Sequence, residues 1–180
     1  MKKWMLLFIF IGLLLLTSCF SDSNHDSKML NVMILSEIPL SYQSDFGPYI
    51  ADLISEVNED NLEINVELSQ VSHDKLTIEI VASEVDVFVL DESLKHVMLD
   101  PYGLHPLDSL IDSFPENASY DEYIMSDENE ENEHLYAVPL DNDSTLVQDL
   151  GLLLPSNLLA VVVKTSPHKE IGVKLLEEFL

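Results

Sequence analysis

The chain has 180 residues, yet no arginine, one cysteine, one tryptophan, five glycines and only eight lysines against 33 aspartates and glutamates. Each shortage excludes something. Nucleic acid is held by a basic footprint, and none is present. With a single thiol, at Cys19, no internal disulfide can form and no thiolate zinc site can be built. Five glycines leave little material for a phosphate-cradling loop, and neither a phosphate-loop nor a nucleophile-elbow pattern occurs. The six histidines (His25, His73, His96, His105, His134 and His168) form no HExxH motif and no close pair. The segment DNDSTLVQD resembles a calcium loop only superficially. Leu146 stands where such a loop needs glycine, and Leu152 where it needs glutamate. The sequence therefore reads as non-catalytic, with no cofactor and no metal site expected.

Long apolar runs are also scarce. One opens the chain: Lys2 and Lys3 precede Trp4 to Leu16, apolar throughout apart from Gly12. Thirteen residues fall short of the roughly 18–20 a membrane-spanning helix needs, but they suit a secretory signal. Leu16-Thr17-Ser18-Cys19 then matches the bacterial lipobox, in which the cysteine sulfur receives a diacylglycerol and the chain is cut before it. The organisation expected is a lipoprotein signal peptide over 1–18, an acylated Cys19 with a flexible tether over 19–29, and one α/β domain over 30–180. The expected location is the extracytoplasmic face of the cell membrane. Two acyl chains, at about 0.8 kcal/mol per buried CH₂, hold a domain there stably. Beyond the cleavage point six lysines face all 33 acids, a formal charge of −27. Anionic lipid would repel such a domain, so the acyl chains must do the tethering. Cations, cationic solutes or a basic protein face would be attracted.

Hydrophobic periodicity predicts the elements. Val32–Leu35 reads as a strand covered on both faces. Phe46, Ile50, Leu53, Ile54 and Val57 share one helical face, with Gly47-Pro48 in the first turn. LEINVEL alternates strictly, which predicts a half-buried edge strand guarded by outward charges. SHDKLTIEIVAS, 72–83, is rich in β-branched residues, but a crossover is needed before the next strand, so 73–82 is read as a helix capped by Ser72. VDVFVL (85–90) and LLAVVV (158–163) read as fully apolar strands, and LYAVPL (135–140) as a strand with Pro139 at an edge or end. Short helical turns are expected at 92–99, within LHPLDSLID and at 144–150. DENEENE reads as a solvated loop, and Ser166-Pro167 as the opening of a last helix. The element order argues for a mostly parallel doubly wound sheet with helices on both faces and local strand order 2-1-3.

Three stretches carry a family resemblance. KLTIEIVASEVDVFVLDESLKHVMLDPYGLHPLDSLID, HLYAVPL and LLAVVVKTSPHKEIGVKLLEEFL occur in the order of similar segments in extracellular solute-binding lipoproteins of ABC importers. The resemblance implies the fold of one binding lobe, an extracytoplasmic solute-binding or transport-accessory role, and an ABC permease as partner. Members of that family have two lobes with the ligand between them. Here Asp141 to Ser156 is too short to hold a second lobe, and Val81-Ala82-Ser83-Glu84 replaces the family's glycine-bearing turn. The alternative is a structural surface lipoprotein that docks another protein and takes no small ligand.

In a doubly wound sheet, ligands sit beyond the carboxyl ends of the strands. Ser36 and Glu37 follow the first strand, Asp91 and Glu92 the third, and Asp141, Asn142 and Asp143 follow LYAVPL. Glu37, Asp91, Glu92, Asp141 and Asn142 are therefore candidates for a rim that takes a small amine-bearing solute or a divalent cation. The competing reading makes them turn and cap residues.

Overall fold

The computed structural model describes residues 28–55, 62–115, 118–126 and 132–180. The signal segment, Cys19, most of the tether, Val57 and the acidic residues 127–131 lie outside the described residues. Among the described residues no helix is long and apolar enough to cross a membrane.

Strand β1 (Met29–Leu35) leads through a 3-10 turn to helix α1 (Gln43–Leu53). β2 (Glu63–Ser69), α2 (His73–Ala82), β3 (Val87–Asp91) and the short α3 (Lys95–Met98) follow. After a 3-10 segment at Asp108–Ser113 come β4 (Ile124–Ser126), β5 (Glu133–Leu135), β6 (Val138–Leu140) and α4 (Thr145–Asp149). β7 (Leu158–Val162) and α5 (Lys169–Phe179) complete the order. Five strands form one sheet in the order β2-β1-β3-β7-β6, while β4 and β5 pair separately. β1 pairs in parallel with β2 and β3, whereas β7 is antiparallel to both β3 and β6. Four strands thus point one way and β7 alone reverses. The mostly parallel α/β sheet and its 2-1-3 start are as the sequence predicts. The reversal of LLAVVV is not legible there, because a strand buried on both faces looks alike in either direction.

The two crossovers run in opposite senses, β1–α1–β2 outward to the edge and β2–α2–β3 back past β1, so their helices cover opposite faces. α1 touches α5, and α2 touches α3. The central strand shows the same division. A Cβ added to Gly172 of α5 would meet Val87 Cγ2 at 3.1 Å and Val162 Cγ1 at 3.2 Å, so α5 lies almost on the backbone of β3 and β7. The next residue, Phe88, faces the groove walled by Ile80 of α2 and Val97 of α3, as strand alternation requires. Every residue of β3 and β7 is buried.

Local chemistry fixes the ends. Ser72 Oγ accepts from Lys75 N at 3.2 Å and caps α2 as expected. Ser83 closes that helix at φ 55°, a left-handed position that glycine most readily takes. The alternating strand is indeed an edge. Its open backbone is met by the Gln43 amide, which donates to Val66 O at 2.6 Å and accepts from Leu68 N at 2.7 Å. That anchorage starts α1 early, so Pro48 lies inside the helix and not in its first turn.

Three further expectations are corrected. LYAVPL is not one strand: Leu135 ends β5, Tyr136 and Ala137 cross over, and Val138 begins β6, where Pro139 occupies an edge strand. Ser166-Pro167 does not open α5, which begins at Lys169; the Ser166 hydroxyl donates to Asp86 at 2.5 Å and accepts from His168 N at 2.9 Å, which holds the turn ahead of the helix. VDVFVL is not wholly apolar. Asp86 is fully buried just before β3 and takes a second bond from Asn31 N at 2.8 Å. It ties β1, the start of β3 and the turn after β7 together.

Candidate functional site

The carboxyl ends of β1, β2, β3 and β6 and the start of β7 share one rim, since Leu158 of β7 stands opposite both Asp91 and Leu140. The topology therefore gathers the predicted residues at one end of the sheet, but most of them are occupied with holding that end together.

Asp91 is 5 % exposed. Its Oδ1 accepts from Ser93 N at 3.0 Å and Ser93 Oγ at 2.5 Å, and Oδ2 accepts from the Ser156 hydroxyl at the entry to β7. Burial pushes its carboxyl upward, but the bonds from Ser156 and Ser93 outweigh burial and hold it below the ordinary carboxylate value. Asp91 is thus both an N-cap and a stitch across the β3–β7 pair. Asn142 is similarly consumed: Nδ2 donates to Leu154 O at 3.0 Å and Oδ1 accepts from Leu154 N at 2.7 Å. Glu92 pairs with Lys95 at 3.2 Å, and Lys95 pairs in turn with Glu122 at 2.9 Å. The hydrogen bonds it donates to Glu122 and Glu92 raise the Lys95 ammonium above its ordinary value. Glu37 is exposed beyond β1, and Ser36, fully buried, caps its own turn by accepting from Ile38 N at 3.3 Å.

Asp141 differs. One oxygen accepts from Asp143 N at 2.8 Å, and the side chain lines a cavity of about 290 Å³ at the rim. Asp143, Ser144, Ser119 and Asn157 supply the other polar groups, and Phe114, Pro139 and Leu180 supply apolar wall. Phe114 is held by stacking on Tyr120, with ring centroids 4.6 Å apart. The Asp143 carboxylate has no hydrogen-bond or ion-pair partner among the described residues. Of the five candidates, only Asp141 faces this cavity, and Glu37, Asp91, Glu92 and Asn142 do not. Ser119 and Phe114 were not foreseen, because no local pattern tells which loop folds over the rim. Among the described residues no group of three or more His, Cys, Asp or Glu side chains is placed to hold a metal ion. The arrangement offers two carboxylates, hydroxyls and an amide beside an apolar wall, which suits a small cationic organic molecule better than a bare ion.

No protein-family model matches the chain, and no curated protein matches it. Two solved structures are weakly similar, both regulatory domains of OxyR2 from Vibrio vulnificus. One, carrying a cysteine-to-serine substitution, is 13 % identical, with TM-score 0.32, over 86 % of this chain and 98 % of that one. The other, with a glutamate-to-glycine substitution, is 12 % identical, with TM-score 0.33, over 84 % of this chain and 97 % of that one. Likenesses this loose carry no functional reading.

Proposed function

We propose that the protein is a lipid-anchored, extracytoplasmic, single-lobe solute-binding or transport-accessory protein. It is non-catalytic, and its ligand is a small amine-bearing solute. The observation that supports the ligand class is the rim cavity of about 290 Å³, with Asp141 and Asp143 set beside Phe114 and Pro139. Carboxylates provide ionic hydrogen bonds to an ammonium group, and the apolar wall covers the carbon skeleton. Attachment through diacylglycerol on Cys19 and partnership with an ABC permease rest on the lipobox and on the ordered resemblance. In thermal-shift titrations of the domain from Ser27 onward, amines should stabilise it and neutral sugars should not. Ligand at 100 times Kd contributes about 2.7 kcal/mol. The double variant Asp141→Asn/Asp143→Asn should lose the response. An equal response to sugars, or a response that survives the double variant, refutes the cavity. Labelled palmitate that enters the wild type but not Cys19→Ala tests the anchor separately.

A second reading, docking of another surface protein, has its own support. Ile78 and Val81 on the outward stripe of α2 are 64 % and 78 % exposed, unusual on a surface otherwise rich in carboxylates. Ile78→Ser/Val81→Ser should leave amine binding unchanged. Loss of a protein partner from that variant alone would favour this reading.

A further inference from the structure

The cations of this chain are few, and most are spoken for. Lys75 pairs with Glu67 at 2.7 Å and Glu79 at 2.8 Å, Lys95 with Glu92 and Glu122, and Lys174 with Glu177 at 2.6 Å. Lys164 and Lys169 are different: neither has an ion-pair or hydrogen-bonding side-chain partner among the described residues. With 33 carboxylates in the chain, two unpaired lysines five positions apart are an anomaly.

The backbone brings both to one place. Beyond the end of β7, Leu104 bridges Val163, Lys164 N donates to Gly103 O at 2.9 Å, and His105 N donates to Val162 O at 2.9 Å. His105 and Lys164 therefore lie on adjacent antiparallel segments, and the turn from Thr165 to His168 delivers Lys169 as the first residue of α5. This corner sits at the amino end of β1 and β3, opposite the acidic rim. Between the His105–Ser109 segment and α5 runs an open groove of about 480 Å³, lined by His105, Ser109, Ile171, Val173, Lys174 and Glu170. In the turn between the two lysines, Nε2 of His168 is enclosed without a hydrogen-bond partner among the described residues. Burial first, then the positive charges of Lys169 and Lys164, lower the His105 pKa.

We infer that this groove is a second binding site, for a small organic anion: a carboxylate or phosphate ester with an apolar body. Lys164 and Lys169, which flank the groove without lining it, supply charge from its edge, His105 and Ser109 supply hydrogen bonds, and Ile171 and Val173 cover the apolar part. The start of α5 adds its positive dipole end. Glu170 is the one carboxylate in the lining and weakens binding, since it repels the ligand. The site is distinct from the rim cavity in place and in charge sign.

The test uses the full chain in a neutral-headgroup detergent, labelled with ¹⁵N-histidine, with the His105 signal identified by its loss in His105→Gln. Benzoate and phenyl phosphate are the probes, and benzylamine is the cationic control of similar shape. An anion seated beside the imidazole favours its protonated form, so either anionic probe should raise the His105 pKa. In Lys164→Ala/Lys169→Ala the His105 pKa should rise without ligand and stop responding to it. Response to benzoate alone or to phenyl phosphate alone assigns the ligand to carboxylates or to phosphates, and either supports the site. No response to either anion, an equal response to benzylamine, or an undiminished response in the double variant overturns it. Lys164 is exposed, Lys169 half-buried, and neither has an ion-pair partner among the described residues, so their removal should leave the fold intact, as an unchanged circular-dichroism spectrum would show.

Discussion

Asp91 separates a rim that binds from a rim that is merely well built. Its carboxylate takes two bonds from Ser93 and one from Ser156. Bonds to a charged group contribute about 1.5–3 kcal/mol each and are not additive. Ser156, at the half-buried entry to β7, recovers part of its loss from water. Asp91→Ala should therefore cost about 3 kcal/mol. For a domain of this size that is a fall of roughly 9 °C in Tm, at about 3 °C per kcal/mol. Thermal unfolding by circular dichroism measures it. The pH dependence supplies a second readout. Because the folded carboxyl lies below its ordinary value, its stabilisation is complete above about pH 4 and is lost as pH falls through the folded pKa. The stability gap between wild type and Asp91→Asn should accordingly be constant from pH 7 to 5 and shrink below pH 4. A Tm within 1–2 °C of wild type for Asp91→Ala would refute this account, on the scaling used above. So would a gap that ignores pH. A stable Asp91→Ala that loses amine binding would return the residue to the ligand.

Other substitutions probe the same physics elsewhere. Asp86→Ala leaves Asn31 N–H and the Ser166 hydroxyl without their buried acceptor and should cost about 3–5 kcal/mol, read as a lower urea midpoint at unchanged m. Gly172→Leu places a side chain where even a Cβ meets Val87 and Val162 methyls at 3.1–3.2 Å. It should cost at least about 1–3 kcal/mol by overpacking, and a neutral result would mean that α5 does not lie on the sheet. Ser83→Gly removes the left-handed penalty at φ 55° and should raise stability by about 1 kcal/mol, whereas a loss would show that the Ser83 bond to Ile80 O outweighs the strain. Gln43→Ala opens the β2 edge and should cost about 1–2 kcal/mol and increase aggregation in light scattering.

The sequence revealed what periodicity encodes and hid what needs a third dimension. Strict alternation in LEINVEL identified an edge strand, and the need for a crossover placed a helix at 73–82 despite four β-branched residues in it. Phe46, Ile50 and Ile54 are completely buried, as one helical face predicts. The hidden features were those set by partners distant in sequence. The early start of α1 comes from a Gln43 amide reaching across to β2, and the turn ahead of α5 is tied down by a Ser166 hydroxyl reaching Asp86. The rim shows the same limit. Strand order gathered the acids at one end, but whether a carboxylate faces a cavity or a neighbouring hydroxyl depends on loops such as 114–120, whose path no local motif records.

The chain sets 33 carboxylates against six lysines after Cys19, and two aspartates, Asp86 and Asp91, are buried among the described residues and need hydrogen-bond donors. The structure meets the need with uncharged donors. Asp86 is held by a serine and a backbone N–H, Asp91 by two serines and a backbone N–H, and the Asn142 and Gln43 amides act as stand-ins for strand backbone. Hydroxyl and amide donors carry no desolvated charge of their own, so each buried carboxylate bears one ionic desolvation cost where a salt bridge would bear two. Against such scarcity, two lysines without an ion-pair partner among the described residues, Lys164 and Lys169, stand close to one groove, and their charge offsets there the repulsion that a negatively charged ligand meets from the carboxylates.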